Sequence, residues 1–300
     1  MLPSSLSKQQ KYLFVIALLF IVLWSALFIQ LENSLAKLQE FGAFFFLGIG
    51  GAITANSTGA GGGVVFVPSF NALGMAIDEV VATSFAIQCF GMTVGSISWL
   101  IFFNRDSSQK IERVNLLYQA LACSIPMSIA GIYCVQYLSL LPVTSINTIF
   151  SVFSLVFGIV VLYHCVYLGK RSTHRGVKQL TKLELLLIAI SSFIGGIITA
   201  WISVGVGEIL AVILLLRGFS VMFSVAAGVI VSSLSVLSGI PYFINEQLIN
   251  LEVLLFAAPG AIIGALVARF IAQALGPQKL KLFLGSWILF VGVIGLIDFI

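Results

Sequence analysis

The sequence predicts an all-α polytopic membrane protein made of two inverted repeats, each a re-entrant hairpin plus three transmembrane helices, with one extra N-terminal helix. Three observations predict this fold: long apolar runs, a repeated glycine-rich segment, and the positions of the basic residues. Of the 300 residues, 60% are hydrophobic and 9% are charged, whereas about a quarter of the residues in a soluble domain are charged. A chain with so few charges must place most of its surface in lipid, because a soluble protein has to face water.

Seven apolar runs predict transmembrane helices, because each has about the length needed to cross roughly 30 Å of hydrocarbon. The first run follows Lys8 and Lys11, but it is longer than the ~7–15 apolar residues of a signal peptide, so we interpret it as a retained helix. The seven runs are Tyr12–Gln30, Val80–Phe103, Leu116–Leu138, Ile146–Leu168, Val221–Ile244, Val253–Ala268 and Leu282–Ile297.

An internal repeat divides the chain into related halves. Phe46–Gly63 reads FLGIGGAITANSTGAGGG and Ser191–Glu208 reads SSFIGGIITAWISVGVGE, so the motif GG-x-ITA recurs and Thr58 stands opposite Ser203. In both halves an apolar run and three long helices follow the repeated segment. The repeat predicts an N-terminal transmembrane helix in residues 1–40, a first repeat over 41–168, a cytoplasmic linker over 169–182 and a second repeat over 183–300.

Glycine and hydroxyl residues interrupt both repeated segments near their middle. Gly59 and Gly61–Gly63 crowd together and Pro68 follows, and each glycine costs about 1 kcal/mol in a helix relative to alanine. Paired, glycine-interrupted segments in two halves indicate the binding site of a transporter. The alternative is that the glycines only allow close helix packing, but packing requires neither the adjacent Asn56-Ser57-Thr58 nor the charge of Glu208.

The basic residues favour hairpins over full crossings at these two breaks. With nine crossings the Lys and Arg residues divide six to nine between the two sides, whereas two re-entrant hairpins divide them fourteen to one. A model in which only the second segment turns back divides the basic residues thirteen to two. The prediction of the first hairpin therefore depends also on the repeat, because related segments should fold alike. Because cytoplasmic loops are enriched in Lys and Arg, the count predicts seven crossings, with a cytoplasmic N-terminus and an external C-terminus. The expected location is a bacterial inner membrane.

The second arm of each hairpin begins near the midplane, where the N–H groups and positive dipole end of a helix form a natural anion site. Hydroxyl and amide side chains at the breaks could add hydrogen bonds, and none of them carries a fixed positive charge. A small oxyanion therefore fits the site better than a large polyanion.

Glu208 is the ionisable residue placed within a predicted hairpin tip. A charge at that depth costs roughly 2.5–3.5 kcal/mol on insertion scales. One hypothesis is that Glu208 takes up and releases a proton during transport. The alternative is a structural carboxylate that caps the N–H groups of the second arm.

The segments NSTGAGGGVVFVPSFNALG, VVATSF and GGIITAWISVGVGE resemble the sulfite exporter TauE/SafE family of membrane permeases over residues 41–300. The resemblance implies a secondary transporter of a small sulfur-containing anion, such as sulfite or an organosulfonate like sulfoacetate, with export as the direction. It points to Asn56–Gly63, Thr83 and Ser84, whereas Glu208 departs from the glycine-rich pattern of the family. The predicted substrate-binding residues are Asn56, Ser57, Thr58, Gly59, Gly61, Gly62, Gly63, Thr83, Ser84, Thr199, Ser203, Gly205 and Gly207, and Glu208 is the predicted proton-coupling residue.

Other functions fit the sequence less well. No HExxH, GxSxG or Walker A motif is present, so neither a membrane-embedded enzyme nor an ATP-driven pump is indicated. There is no dense basic stretch with interleaved aromatics for nucleic acid, and no cofactor or metal is predicted. The expected partners are the lipid bilayer, a small anion and, under the coupling hypothesis, protons; a homodimer stays open. The remaining alternatives are an uncoupled, channel-like anion facilitator and a permease for another small carboxylate or anion.

Overall fold

The computed structural model describes residues 34–105, 110–138, 145–163 and 180–297, together with residues 22, 24–26, 28, 29, 140 and 142. The predicted N-terminal span and the cytoplasmic linker lie largely outside these residues. The described helices are α1 Ser34–Phe41, α2 Ala43–Thr58, α3 Gly63–Ala72, α4 Ile77–Arg105, α5 Lys110–Gln136, α6 Ile146–Tyr163, α7 Lys182–Ile202, α8 Val206–Leu216, α9 Val221–Asn245 and α10 Leu251–Ile297. Residues Met1–Ala43 form one compact unit, which contains α1, and Phe44–Ile300 form another.

Six of these helices are long and apolar enough to cross a membrane, which confirms an all-α, multi-pass protein. Five coincide with predicted spans, and the sixth, α7, falls where the first arm of the second hairpin was expected. The predicted last span is represented by a shorter apolar stretch, Gly285–Gly295, beyond a kink at Gly276 in α10. The six stretches are Ile77–Asn104, Val114–Gln136, Ile146–Tyr163, Lys182–Ile202, Val221–Asn245 and Leu251–Gly276.

Helix α7 has 21 residues, which is longer than a short re-entrant arm. Local interactions fix where it begins and where it ends. The Thr181 side chain accepts a hydrogen bond from the Glu184 N–H, while the Glu184 carboxylate accepts one from the Thr181 N–H. This capping box satisfies N–H groups that a helix start leaves free. The helix then runs unbroken until Ser203, whose φ of 59° ends it.

The chain turns back on itself at both breaks. The rings of Phe44 and Phe70 lie 5.8 Å apart, although one continuous helix would separate them by about 39 Å. Glu184 and Arg217 form an ion pair at 3.3 Å, where a continuous helix would place them about 50 Å apart. Helices α2 and α3 therefore form a first hairpin, and α7 and α8 form a second.

The two ends of the helix bundle can be told apart by their contacts. At the first, the Asn250 end, the Asn250 N–H donates to Thr83 at 2.9 Å and its side-chain amide donates to Glu79 at 2.8 Å, so α4 and α10 begin together. At the other, the Phe219 end, Leu116 and Phe219 share a buried cluster that Phe103 and Leu180 cover. Helices α5, α7 and α9 therefore begin where α4 ends.

The hairpins enter the bundle from opposite ends. Helix α7 begins at the Phe219 end and runs parallel to α5, since Cys123 bonds the Leu185 carbonyl and Gly131 lies against Phe193. Helix α2 runs parallel to the first part of α10, because Gly260 lies against Phe45 and Gly264 lies against Ile49. The first hairpin thus opens toward the Asn250 end and the second toward the Phe219 end.

This arrangement predicts the labelling pattern of single cysteines in a background without native cysteines. Leu73 and Glu246 are exposed near the Asn250 end, and Lys279 is exposed beyond the kink at Gly276. Cysteines at Leu73 and Glu246 should react with an impermeant maleimide added outside intact cells. A cysteine at Lys279 should react only after permeabilisation. Labelling of Leu73 and Glu246 from opposite sides would contradict the first hairpin.

Candidate functional site

The first break separates α2 from α3 and is made of glycines. Gly59 has a φ of 84°, a conformation that glycine adopts at little cost. Helix α3 then begins at Gly63 without any side-chain cap of its own. Its free N–H groups must therefore be satisfied by other parts of the chain, because a buried N–H without a partner is costly.

The second break separates α7 from α8 and supplies its own caps. Ser203 has a φ of 59° and Gly205 a φ of 147°. The Thr199 hydroxyl accepts a hydrogen bond from the Val206 N–H at 2.9 Å. The carboxylate of Glu208 accepts another from the Gly205 N–H at 2.9 Å. The second hairpin thus satisfies the start of α8 from within its own sequence.

The two breaks lie directly against each other. Gly63 is in contact with the Ser203 carbonyl, and a Cβ added to Gly63 would overlap that oxygen. A Cβ added to Gly207 would lie 2.6 Å from the Gly59 carbonyl oxygen and would overlap the Ser232 hydroxyl. Glycine at these positions is therefore required for the two hairpin tips to meet.

The carboxylate of Glu208 joins the two tips. Its Oε1 accepts a hydrogen bond from the Gly61 N–H at 2.6 Å, and its Oε2 accepts the bond from Gly205. Glu208 is 1% exposed. The side-chain carboxyl group of Glu208 is thus held between the start of α3 and the start of α8, where the partial positive charges of both helix N-termini stabilise its ionised form.

Gln88 joins the same two tips from α4. Its Oε1 accepts a hydrogen bond from the Gly62 N–H at 2.8 Å, and its Nε2 donates to the Ser203 hydroxyl at 2.8 Å and to the Ser203 carbonyl at 3.3 Å. The Ser203 hydroxyl in turn bonds Ser84 at 2.8 Å. One neutral amide therefore satisfies a free N–H of the first tip and a free carbonyl of the second.

Ser232 reaches the tips from the middle of α9. Its side chain is 3% exposed, lies against Gly207 and has no hydrogen-bond partner. A buried hydroxyl without a partner is unusual. Ser232 therefore leaves a hydrogen-bond donor available beside the start of α8.

The structure brings most of the predicted site residues to this junction, but turns three of them away. The Asn56 amide bonds the carbonyls of Ala52 and Gly91, and the Ser57 hydroxyl bonds the carbonyl of Thr54 in its own helix. The Thr83 hydroxyl accepts the Asn250 N–H at the Asn250 end. The predicted residues that line the junction or cap its helices are Thr58, Gly59, Gly61, Gly62, Gly63, Ser84, Thr199, Ser203, Gly205, Gly207 and Glu208.

Gln88 and Ser232 lie at the junction, although they are not among the predicted substrate-binding residues. Both lie among the polar residues of long apolar helices, where such side chains more often bond their own backbone. The sequence signal that could have identified Gln88 is its amide, which can both donate and accept hydrogen bonds and lies inside an apolar run.

An apolar groove on the outside of the second hairpin offers no alternative anion site. It has a volume of about 490 Å³ and is lined almost entirely by apolar side chains of α6, with Ile198 and Ile209 of the hairpin. It supplies no cluster of donors. Among the described residues, no group of His, Cys, Asp and Glu is arranged to hold a metal ion.

A multi-pass helical protein in which two broken segments meet inside the bundle has the architecture of a membrane transporter. The chain belongs to the sulfite exporter TauE/SafE family, whose model matches residues 44–294. The match covers both hairpins and extends into the last helix, and the family is one of membrane transporters for sulfur anions such as sulfite. No curated protein and no solved structure matches the chain.

Proposed function

We propose that this protein is a secondary transporter that binds a small sulfur oxyanion, sulfite or an organosulfonate such as sulfoacetate, between the two hairpin tips and exports it across the bacterial inner membrane. The observation that carries the proposal is the junction itself. The Gly61 N–H, two residues before α3, and the Gly205 N–H, just before α8, donate to the two oxygens of one carboxyl group. Groups that hold a carboxylate in this way suit the oxygens of a sulfite or sulfonate of similar size and charge.

The directions of the helices support an inverted repeat around this site. The first hairpin is followed by α4, which runs from the Asn250 end, and the second is followed by α9, which runs antiparallel to it, as the contact between Phe85 and Phe243 shows. Each half then adds two further segments, α5 and α6 or the two parts of α10. Inverted halves could exchange conformations, so that the junction opens first to one side of the membrane and then to the other.

We assign proton coupling to Glu208. The helices that meet at its carboxylate carry few other charges: α2, α3 and α9 have none, and those of α4 and α7 lie at the helix ends. A protonated Glu208 would carry no charge and would accept the Gly61 N–H more weakly, because hydrogen bonds to ionised groups are about twice as strong as neutral ones. Proton uptake would then loosen the junction.

The carboxylate at the junction also favours a second candidate substrate class. Because the tips already hold the carboxylate of Glu208, a small carboxylate ion could occupy the same groups. An uncoupled facilitator would use the same site without Glu208 changing its protonation. These alternatives differ from the main proposal in substrate selectivity and in accumulation against a gradient.

Flux measurements in proteoliposomes test the proposal. Radiolabelled sulfite and sulfoacetate should accumulate in wild-type vesicles when a pH gradient is imposed, whereas a Glu208→Gln protein should only equilibrate them. Glu184→Gln is the matched control, because it neutralises a buried carboxylate at the open end of the same hairpin, and it should retain accumulation. Full pH-driven accumulation by Glu208→Gln would contradict the coupling role. Equilibration without accumulation in the wild type would identify a facilitator, and no flux of either anion would contradict the substrate class.

A further inference from the structure

The start of α3 is completed by a side chain from the other half of the protein. No side chain of the first hairpin caps this helix, and the Gly61 N–H instead donates to Glu208, 147 residues away. A helix start with free, buried N–H groups is an anion site. In this structure a carboxylate fixed to the second hairpin fills it.

The repeat shows that this carboxylate has no counterpart in the first half. The residue at the position equivalent to Glu208 is Gly63, which has no side chain. The two tips therefore share one anion, with one carboxylate oxygen bound to each half. This is the arrangement that a free oxyanion held between the two halves would have.

The junction also holds a donor that Glu208 does not use. The buried Ser232 hydroxyl has no hydrogen-bond partner and lies against Gly207, next to Glu208 in sequence. The junction therefore holds a buried hydroxyl in addition to the N–H groups that bind Glu208.

We propose that the carboxylate of Glu208 is a tethered anion that occupies the substrate position, so that Glu208 and the transported oxyanion exclude each other. The inference rests on the proposed function, and it identifies the arrangement described here as the self-occupied state. Substrate enters when the Glu208 side chain leaves the Gly61 N–H. The empty position then offers the Gly61 and Gly205 N–H groups to the anion.

Binding measurements on the purified full-length protein test this competition. Methanesulfonate is the probe, because its sulfonate stays singly charged throughout the pH range in which the protein is handled. Its apparent affinity should rise by about tenfold or more in Glu208→Ala and Glu208→Gln, because a fully occupied competing state lowers apparent affinity by the fraction of protein that is free to bind. Glu184→Gln is again the matched control and should keep the wild-type affinity. Equal or weaker binding in both Glu208 variants would overturn the inference.

A chemical rescue experiment covers the case in which Glu208→Ala is unstable. Acetate added to Glu208→Ala should raise its thermal midpoint, because the free carboxylate can bind the groups that the missing side chain occupied. Acetate should leave the wild type and Glu184→Gln unchanged. A purely structural cap predicts loss of stability with no gain in methanesulfonate affinity in the isosteric Glu208→Gln, and that result would also overturn the inference.

The outcomes distinguish this inference from the proposed function. If the wild type transports sulfite and the Glu208 variants bind methanesulfonate with unchanged affinity, the proposed transport function stands and only the tethered-anion inference is contradicted. If neither sulfite nor sulfoacetate is transported but acetate still stabilises Glu208→Ala, the proposed substrate class is contradicted and the tethered-anion inference stands.

Discussion

Replacing Gly63 or Gly207 with alanine should reduce transport by about tenfold or more and lower the free energy of unfolding by about 1–3 kcal/mol, the usual cost of overpacking. A methyl group at Gly63 would overlap the Ser203 carbonyl, and one at Gly207 would overlap the Ser232 hydroxyl and approach the Gly59 carbonyl. Two of these three neighbours are backbone, which cannot rotate away. The tips would separate, and the N–H groups that hold the Glu208 carboxylate would no longer converge.

Two alanine variants serve as controls for this prediction. Gly50 is exposed and an added Cβ would meet no atom within 4 Å, so Gly50→Ala should leave transport and stability near wild type. A Cβ added to Gly158 would lie 2.7 Å from the Leu289 backbone nitrogen, away from the hairpin tips, so Gly158→Ala should lower stability but keep transport per folded molecule. Thermal unfolding and flux per unit of monodisperse protein measure the two effects. Wild-type flux in Gly63→Ala and Gly207→Ala would show that transport does not require the tight junction.

Replacing Gln88 with methionine should cause the second large loss of transport, because it strands polar groups on both tips. The Gly62 N–H and the Ser203 carbonyl would lose their partner, and each stranded buried group costs about 1–3 kcal/mol. Ser84 and Ser203 could still bond each other. We therefore expect a lower melting temperature and flux at least about tenfold below the wild type.

Gln136→Met is the matched control for the glutamine variant. Gln136 is also buried, and its amide donates to the Gly239 carbonyl at 3.0 Å, but it lies near the Asn250 end and not at the tips. Its replacement should lower stability and keep transport.

Gln88→Glu adds a second comparison, because it keeps the shape of the side chain while placing a second carboxylate beside Glu208. This variant should bind methanesulfonate more weakly than the wild type. Normal flux in both Gln88 variants would rule out the junction as the substrate path.

Much of the fold could be predicted from the sequence because its signals are local. The length of an apolar run and its lack of charges predict a membrane helix without any knowledge of its neighbours. Five predicted spans coincide with helices of the described structure. Helix α7 shows the limit of this reasoning, since its start at the capping box of Thr181 and Glu184 and its end at Ser203 are set by local hydrogen bonds and backbone conformation, which a hydropathy pattern does not register.

The candidate site could be predicted only in part because its contacts join distant parts of the chain. Asn56 is polar and next to the first break, yet its amide faces α4, where Gly95 leaves room for it. Thr83 stands beside Ser84 in sequence, but its hydroxyl caps the start of α10 while Ser84 bonds Ser203. Adjacent residues on a helix face different neighbours, so the sequence alone could not separate these pairs.

The sequence by itself determined the membrane class, the internal repeat and the places where the helices break, since each depends on residues close together in the chain. Glycine-rich breaks recur wherever the repeat recurs. Only the tertiary structure decided that the two breaks meet and that Glu208 and Gln88 connect them. The physical reason is that a free N–H group at a helix start can be satisfied by any acceptor that packing brings within hydrogen-bonding distance. For Gly61 that acceptor is Glu208, from the opposite half of the chain.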